Sequence, residues 1–234
     1  DERAFLFVHD DGHSHEMSFG EWHDRSAALA DVLRGKFRAG DRLLLMYSAG
    51  LDFPVAFLAC LGAGLVAVPV ATPAAQRRGT SVAVAGLDRK TELLLRIAQD
   101  CGATGILTSK ELSRNIPHEL LCEMEGMQIV ETDDVPNLNE PHDALQTDDP
   151  DAIAVLQYTS GSTSNPKGVM LTHRAIASNL EQIAIQMRST SDTVLCTWLP
   201  LFHDMGLFGS LLAGVWRGFP VILFSTKAFL WNPL

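Results

Sequence analysis

Residues 53–76 carry no charged side chain. A stretch that long and that apolar could cross a bilayer as one helix, so it must either enter a membrane or be buried in a core. Its punctuation decides between them. Pro54, Gly62, Gly64, Pro69 and Pro73 divide it into a short helix, a turn and a buried strand at residues 65–70. A strand apolar along its whole length is covered on both faces, which is the signature of a parallel sheet with helices on each side. The chain is therefore expected to be α/β.

The flanking segments continue that rhythm. Residues 4–9 and 13–17 flank Asp10-Asp11-Gly12, a hairpin signal. Ser18-Phe19-Gly20-Glu21 reads as a capping box opening a helix whose apolar positions Trp22, Leu29 and Leu33 share a face. A strand is expected at residues 42–46, a helix at 51–61 before the strand already named, a helix at 88–100 stopped by Gly102, and a strand at 104–108. This alternation is βαβ, with parallel strands. Residues 71–86 read as a surface loop. Beyond residue 109 the pattern weakens to a short helix at 118–125, a strand at 128–130 and an acidic stretch to Asp151. That stretch is either a linker between subdomains or an ordinary acidic loop.

Composition bounds the function classes. With 234 residues, 47% hydrophobic and 20% charged, the chain can bury a sizeable core. Its net charge of −10, with no basic cluster beyond the pairs Arg77-Arg78 and Arg89-Lys90, argues against nucleic acid as a partner. Cys60, Cys101, Cys122 and Cys196 lie far apart and read as buried free thiols of a reducing cytoplasm. His13-Ser14-His15 lacks a partner at ligand spacing and reads as a solvated hairpin face, not a metal site. No transmembrane segment or signal peptide is read, the first residues being Asp1-Glu2-Arg3.

The chemistry concentrates in Leu156-Gln157-Tyr158-Thr159-Ser160-Gly161-Ser162-Thr163-Ser164-Asn165-Pro166-Lys167-Gly168-Val169. An apolar run at residues 152–156 leads in as a buried strand, and helical periodicity begins at Thr172, which is where α/β proteins place phosphate groups. Gly161 and Gly168 tolerate the positive φ angles of a backbone nest. Thr159, Ser160, Ser162, Thr163 and Ser164 add hydroxyl donors, and Lys167 adds a mobile charge of the kind that neutralises phosphate oxygens. The lysine follows Pro166 and precedes Gly168, so this is not a Walker motif. A bare polar turn is the alternative.

These residues, from Tyr158 to Thr163 and from Pro166 to Val169, resemble the phosphate loop of the acyl-adenylate-forming superfamily, which includes acyl-CoA synthetases, firefly luciferase and peptide-synthetase adenylation domains. Ser164 departs from the family's usual glycine and tightens the loop. The N-terminal layout, a Ser/Thr-aromatic-x-Glu helix start followed by Gly-Asp, a strand, an apolar helix and Val-Pro, is similar too. The resemblance implies the N-terminal part of the adenylate-forming large domain, with mainly parallel sheets flanked by helices. A first subdomain would span about residues 1–150, and the phosphate-loop subdomain would begin near 151.

Downstream, Ile176, Leu180, Ile183, Ala184 and Met187 fall on one side of a helix from Thr172, and a strand is expected at 194–199. Pro200-Leu201-Phe202-His203-Asp204-Met205-Gly206-Leu207 follows, with Asp204 read as the cap of a helix running to about Trp216 and stopping at Gly218. That helix is apolar nearly all round. Gly206, Gly209 and Gly214 leave either room for an extended apolar ligand or close helix–strand packing. The segment resembles the superfamily's histidine motif, which borders the carboxylate and α-phosphate, and its His-Asp-Met-Gly-Leu form resembles fatty acyl-AMP ligases.

That resemblance implies ATP and Mg²⁺ as cofactors, a fatty acid substrate and an acyl carrier protein acceptor in lipid or polyketide biosynthesis. Thr159, Ser160, Gly161, Ser162, Thr163, Ser164, Lys167 and Gly168 would bind the nucleotide. Lys167 and His203 would be catalytic, and His203, Asp204, Met205 and Gly206 would meet the acid. The family's Tyr-Gly-x-Thr-Glu segment, ribose-binding aspartate and catalytic C-terminal lysine do not occur, so the chain is read as a fragment with no metal ligand of its own and little activity alone. An acyl-CoA synthetase and a non-catalytic nucleotide- or acyl-binding module are the rival readings.

Overall fold

The structure, a computed structural model, describes residues 2–73, 89–114, 116, 122, 126–133, 149–159 and 166–231. Its first hairpin pairs β1 (Arg3–Val8) with β2 (Ser14–Ser18) in antiparallel register. Gly12 makes the turn possible with a φ of +88°. The expected capping box is formed: Glu21 N–H donates to Ser18 Oγ, while Ser18 N–H donates to Glu21 Oε2. It starts α1 (Phe19–Arg34).

Next come β3 (Arg42–Met46), α2 (Asp52–Gly62) and β4 (Val66–Val70). The uncharged stretch is thus helix, turn and strand, and no described helix is long and apolar enough to cross a membrane. Trp22 Nε1 donates to the Pro54 carbonyl at 2.9 Å and locks α1 onto α2. Then α3 (Arg89–Cys101) ends at Gly102 with a φ of +59°, and β5 (Gly105–Thr108) follows. A one-turn helix, α4 (Lys110–Ser113), precedes β6 (Gln128–Glu131). Of the expected helix at 118–125 only Cys122 is described, and most of the loop at 71–86 and of the acidic stretch lies outside the described residues.

The remaining elements are β7 (Ile153–Thr159), β8 (Lys167–Thr172), α5 (His173–Met187), β9 (Leu195–Thr197), a long helix α6, β10 (Val221–Phe224) and α7 (Thr226–Trp231). The helix α6 has three parts: Asp204–Gly206, a π-helical segment Leu207–Leu212, and Ala213–Arg217. Gly218, at a φ of +72°, stops it as expected.

Two sheets result, in the orders β6-β5-β3-β4-β7-β8 and β2-β1-β10-β9. All pairings are parallel except the hairpins β1–β2 and β7–β8. The α/β reading holds. Strands from both sides of residue 150 share each sheet, because β7 joins β4 and β10 joins β1. The register between β4 and β7 is confined to Ala67 opposite Val155, and Pro69, two residues on, has no N–H to extend the ladder. Leu43, Leu44, Leu45 and Met46 of β3 are at most 1% exposed, the most buried strand of the molecule's centre.

The cysteine expectation is half corrected. Cys60 and Cys101 are buried and burial raises both thiols, but Cys122 and Cys196 are exposed. Cys196 lies on β9 at the edge of its sheet, and alternation turns it outward between a half-buried Leu195 and a buried Thr197.

Candidate active site

The phosphate loop joins β7 to β8, so it closes an antiparallel hairpin instead of leading straight into a helix. This corrects the expected strand–loop–helix order. Residues 167–172 extend because Val169, Met170 and Leu171 can pair with β7, and α5 begins only when Thr172 Oγ1 accepts from Ala175 N–H. That terminus lies at the far end of β8, about 17 Å from the loop at ordinary strand rise. A helix dipole acts within its first turn, so α5 contributes nothing to an anion held there.

Register defines the two faces of the hairpin. Val155, Gln157 and Thr159 stand opposite Leu171, Val169 and Lys167 on one face, while Tyr158 stands opposite Gly168 on the other. Thr159 and Lys167 therefore face each other across the mouth of the loop. Ser160, Gly161, Ser162, Thr163 and Ser164 lie outside the described residues.

Gly168 has a different role from the one expected. Its φ is not positive, and it sits in β8. A Cβ there would lie 2.8 Å from Tyr158 Cζ, so glycine is needed to let the ring cross it. Tyr158 in turn donates its hydroxyl to Asp100. Burial first, and then that bond, raises the Tyr158 hydroxyl above its ordinary value.

His203 occupies the N-cap position of α6, with φ −103° and ψ 145° and no side-chain cap bond. Asp204 is the first helical residue and not the cap. Its Oδ1 is engaged locally, 2.6 Å from both Met205 N and His203 Nδ1. An Nδ1–H held by Asp204 leaves Nε2 as the ring nitrogen for a ligand. Met205 is exposed and Gly206 is buried. A Cβ on Gly206 would meet the Pro200 carbonyl oxygen at 2.2 Å, and one on Gly214 would meet Val221 Cγ2 at 2.2 Å. These two glycines serve close packing, which settles the alternative for them. The buried Ser210 hydroxyl donates to the Met205 carbonyl at 3.2 Å, within the π turn.

The hairpin and the histidine turn meet. A cavity of about 340 Å³ is lined by Gln157, Thr159, Val169, Leu171, Asp204 and Phe208, among others. The turn preceding His203 also walls a second, mainly apolar cavity of about 250 Å³ with Tyr47, Phe53, Trp198 and Phe224. That cavity lies past the carboxyl ends of β3, β4, β9 and β10, the side on which α/β sheets place ligands. Trp198 stacks on Phe229 with centroids 3.8 Å apart. The structure thus brings Thr159 and Asp204 to one cavity, with Lys167 across the hairpin from Thr159 and His203 held by Asp204. Gln157, which joins β7 to the histidine turn by donating from Nε2 to the Phe202 carbonyl at 2.8 Å, had escaped the sequence reading. A glutamine directly after the apolar run at residues 153–156 was the available signal.

Comparison with known proteins adds an independent line. Residues 1–233 match the family described as AMP-binding enzyme. The chain is 34% identical over 221 residues to a medium-chain-fatty-acid–[acyl-carrier-protein] ligase, JamA, of Moorena producens, covering 93% of this chain and 36% of that protein. It is 31% identical to the long-chain-fatty-acid–AMP ligase FadD23 of Mycobacterium tuberculosis, covering 100% of this chain and 40% of that one. Among solved structures, a fatty acyl-adenylate ligase of L. pneumophila in complex with acyl adenylate and pyrophosphate superposes with a TM-score of 0.84 at 28% identity, over 100% of this chain and 38% of the other. The chain therefore spans about two fifths of the length of the relatives it matches.

Proposed function

This chain belongs to the AMP-binding enzyme family, and on that premise we propose that it forms part of a fatty acyl-AMP ligase. The full-length protein would use ATP to convert a fatty acid to acyl-AMP and pyrophosphate, then pass the acyl group to an acyl carrier protein. The observation that carries the reading is the pairing of Thr159 opposite Lys167 at the mouth of the loop, with Asp204 lining the same cavity as Thr159. Support for the substrate class comes from the relatives, one named for fatty acid and acyl carrier protein, and from the neighbour bound to acyl adenylate and pyrophosphate.

In this reaction a carboxylate oxygen attacks the α-phosphorus and the bond to the β-phosphate oxygen breaks, releasing pyrophosphate. Both reactants are anions, so oriented donors and positive charge dominate the catalysis. Lys167 offsets charge on the departing pyrophosphate. Thr159, together with Ser160, Gly161, Ser162, Thr163, Ser164 and Gly168, forms the cradle for the β- and γ-phosphates. Asp204 holds His203 by Nδ1 so that Nε2 meets the carboxylate, and Met205 and Gly206 shape the turn beside it. Mg²⁺ would be held mainly by the phosphates of ATP, and among the described residues there is no group of three His, Cys, Asp or Glu.

In this reading residues 1–234 supply the first part of the AMP-binding domain, with the phosphate-loop stretch beginning near residue 151. The setting is cytoplasmic lipid or polyketide biosynthesis, in keeping with four free cysteines. The test is fatty-acid-dependent exchange of pyrophosphate into ATP by the full-length protein. Exchange supports adenylation, and its absence across medium and long chains rejects it.

A further inference from the structure

Gln157 is a polar side chain, 5% exposed, directly after the apolar run at residues 153–156 of β7. A carbonyl can only accept, so the bond to Phe202 fixes the orientation of the amide: Nε2 toward the turn, Oε1 away from it. That Oε1 is buried and meets no donor among the described residues. An apolar side chain of the same length would fill the space and leave no acceptor unmet, so packing does not explain a glutamine here. What the amide adds is a bond between residues 45 apart in sequence, from the strand that ends at Thr159 to the carbonyl next to His203.

We propose that Gln157 is a positioning residue, which sets the His203 turn against the phosphate-loop hairpin. Its consequence for catalysis rests on the adenylation reading above; its effect on the turn does not. Gly206 packs against Pro200 from the helix side and Gln157 holds Phe202 from the sheet side, so the turn is fixed from two directions. Without the amide the backbone bonds His203 N–H to Pro200 O and Leu207 N–H to His203 O remain, but the turn loses its tie to β7.

Two substitutions in the full-length protein test this. Gln157→Met keeps the length and removes the donor, and Gln157→Glu replaces the donor with an acceptor. Hydrogen exchange read by mass spectrometry should show peptides covering residues 199–207 exchanging about tenfold faster in both variants, with peptides from α1 and β3 unchanged. In pyrophosphate exchange, the KM for fatty acid should rise about tenfold while the KM for ATP stays within about threefold, a split that a smaller folded fraction cannot produce. Faster exchange at 199–207 in a protein that shows no fatty-acid-dependent activity would retain the positioning role and reject the adenylation reading. Unchanged exchange at 199–207 overturns the proposal, whether or not activity falls. Should the glutamate variant fail to fold, the methionine variant decides alone.

Discussion

Adding one methyl group at Gly206 tests whether the His203 turn is held by close packing. The new Cβ would lie 2.2 Å from the Pro200 carbonyl oxygen, 2.9 Å from its carbon and 3.1 Å from the Leu199 carbonyl oxygen, all backbone atoms. Real Cβ contacts essentially never fall below 3.0 Å, so the helix and the turn must separate by about 0.8 Å. Overpacking of this kind costs about 1–3 kcal/mol. For a chain of this size that lowers the melting temperature by roughly 2–10 °C. Activity should suffer more than stability, since a displacement near 1 Å at a positioning element costs on the order of 10²-fold. Gly209→Ala is the control, because its Cβ would meet the flexible Met205 Sδ and Cγ and no backbone atom. Thermal unfolding and pyrophosphate exchange would be read on both variants. Equal behaviour of Gly206→Ala and Gly209→Ala, or exchange within about threefold of the parent in Gly206→Ala, would refute the packing argument.

Lys167→Ala should lower adenylation by on the order of 10²-fold while leaving the melting temperature nearly unchanged, and a loss under about threefold would reject its role. Gly168→Ala should cost about 1–3 kcal/mol by pushing the Tyr158 ring off Asp100, and the cost should vanish in a Tyr158→Leu background; an additive double-mutant cycle would contradict the contact. Because the Tyr158 hydroxyl is raised in the folded state, its contribution is fully present below about pH 10 and is lost as pH rises beyond it. Alkaline unfolding should therefore be less steep in Tyr158→Phe than in the parent, a comparison that circular dichroism can make.

Much of this fold was legible because local chemistry and tertiary demand agree. The Asp-Asp-Gly turn, the Ser18–Glu21 box and the strand at residues 42–46 each carry their own stop and start signals, and each appears where expected. Elements whose reason lies elsewhere in the chain were missed. Val221–Phe224 becomes a strand because β1, more than 200 residues earlier, offers it a parallel edge. Lys167–Thr172 is short and mixed, and it extends because β7 pairs with it. The π segment of α6 has no pattern of its own in the sequence. At the site, residue types pointed to Thr159, Lys167 and His203, while the role of Gly168 depends on a ring across the hairpin and that of Gln157 on a carbonyl 45 residues away. Asp204 was misread as a cap because its sequence position allows one, whereas its carboxylate is taken by Met205 and His203.

The most direct measurement gives the full-length protein ATP, Mg²⁺ and a medium-chain fatty acid, offers CoA and a phosphopantetheinylated carrier protein in parallel, and identifies the products by mass. A fatty acyl-AMP ligase yields acyl-AMP, pyrophosphate and acyl-carrier protein, with no acyl-CoA. Prompt acyl-CoA would place the protein among the synthetases and remove the meaning given to His203-Asp204-Met205, and no acyl-AMP at all would contradict the account at its root.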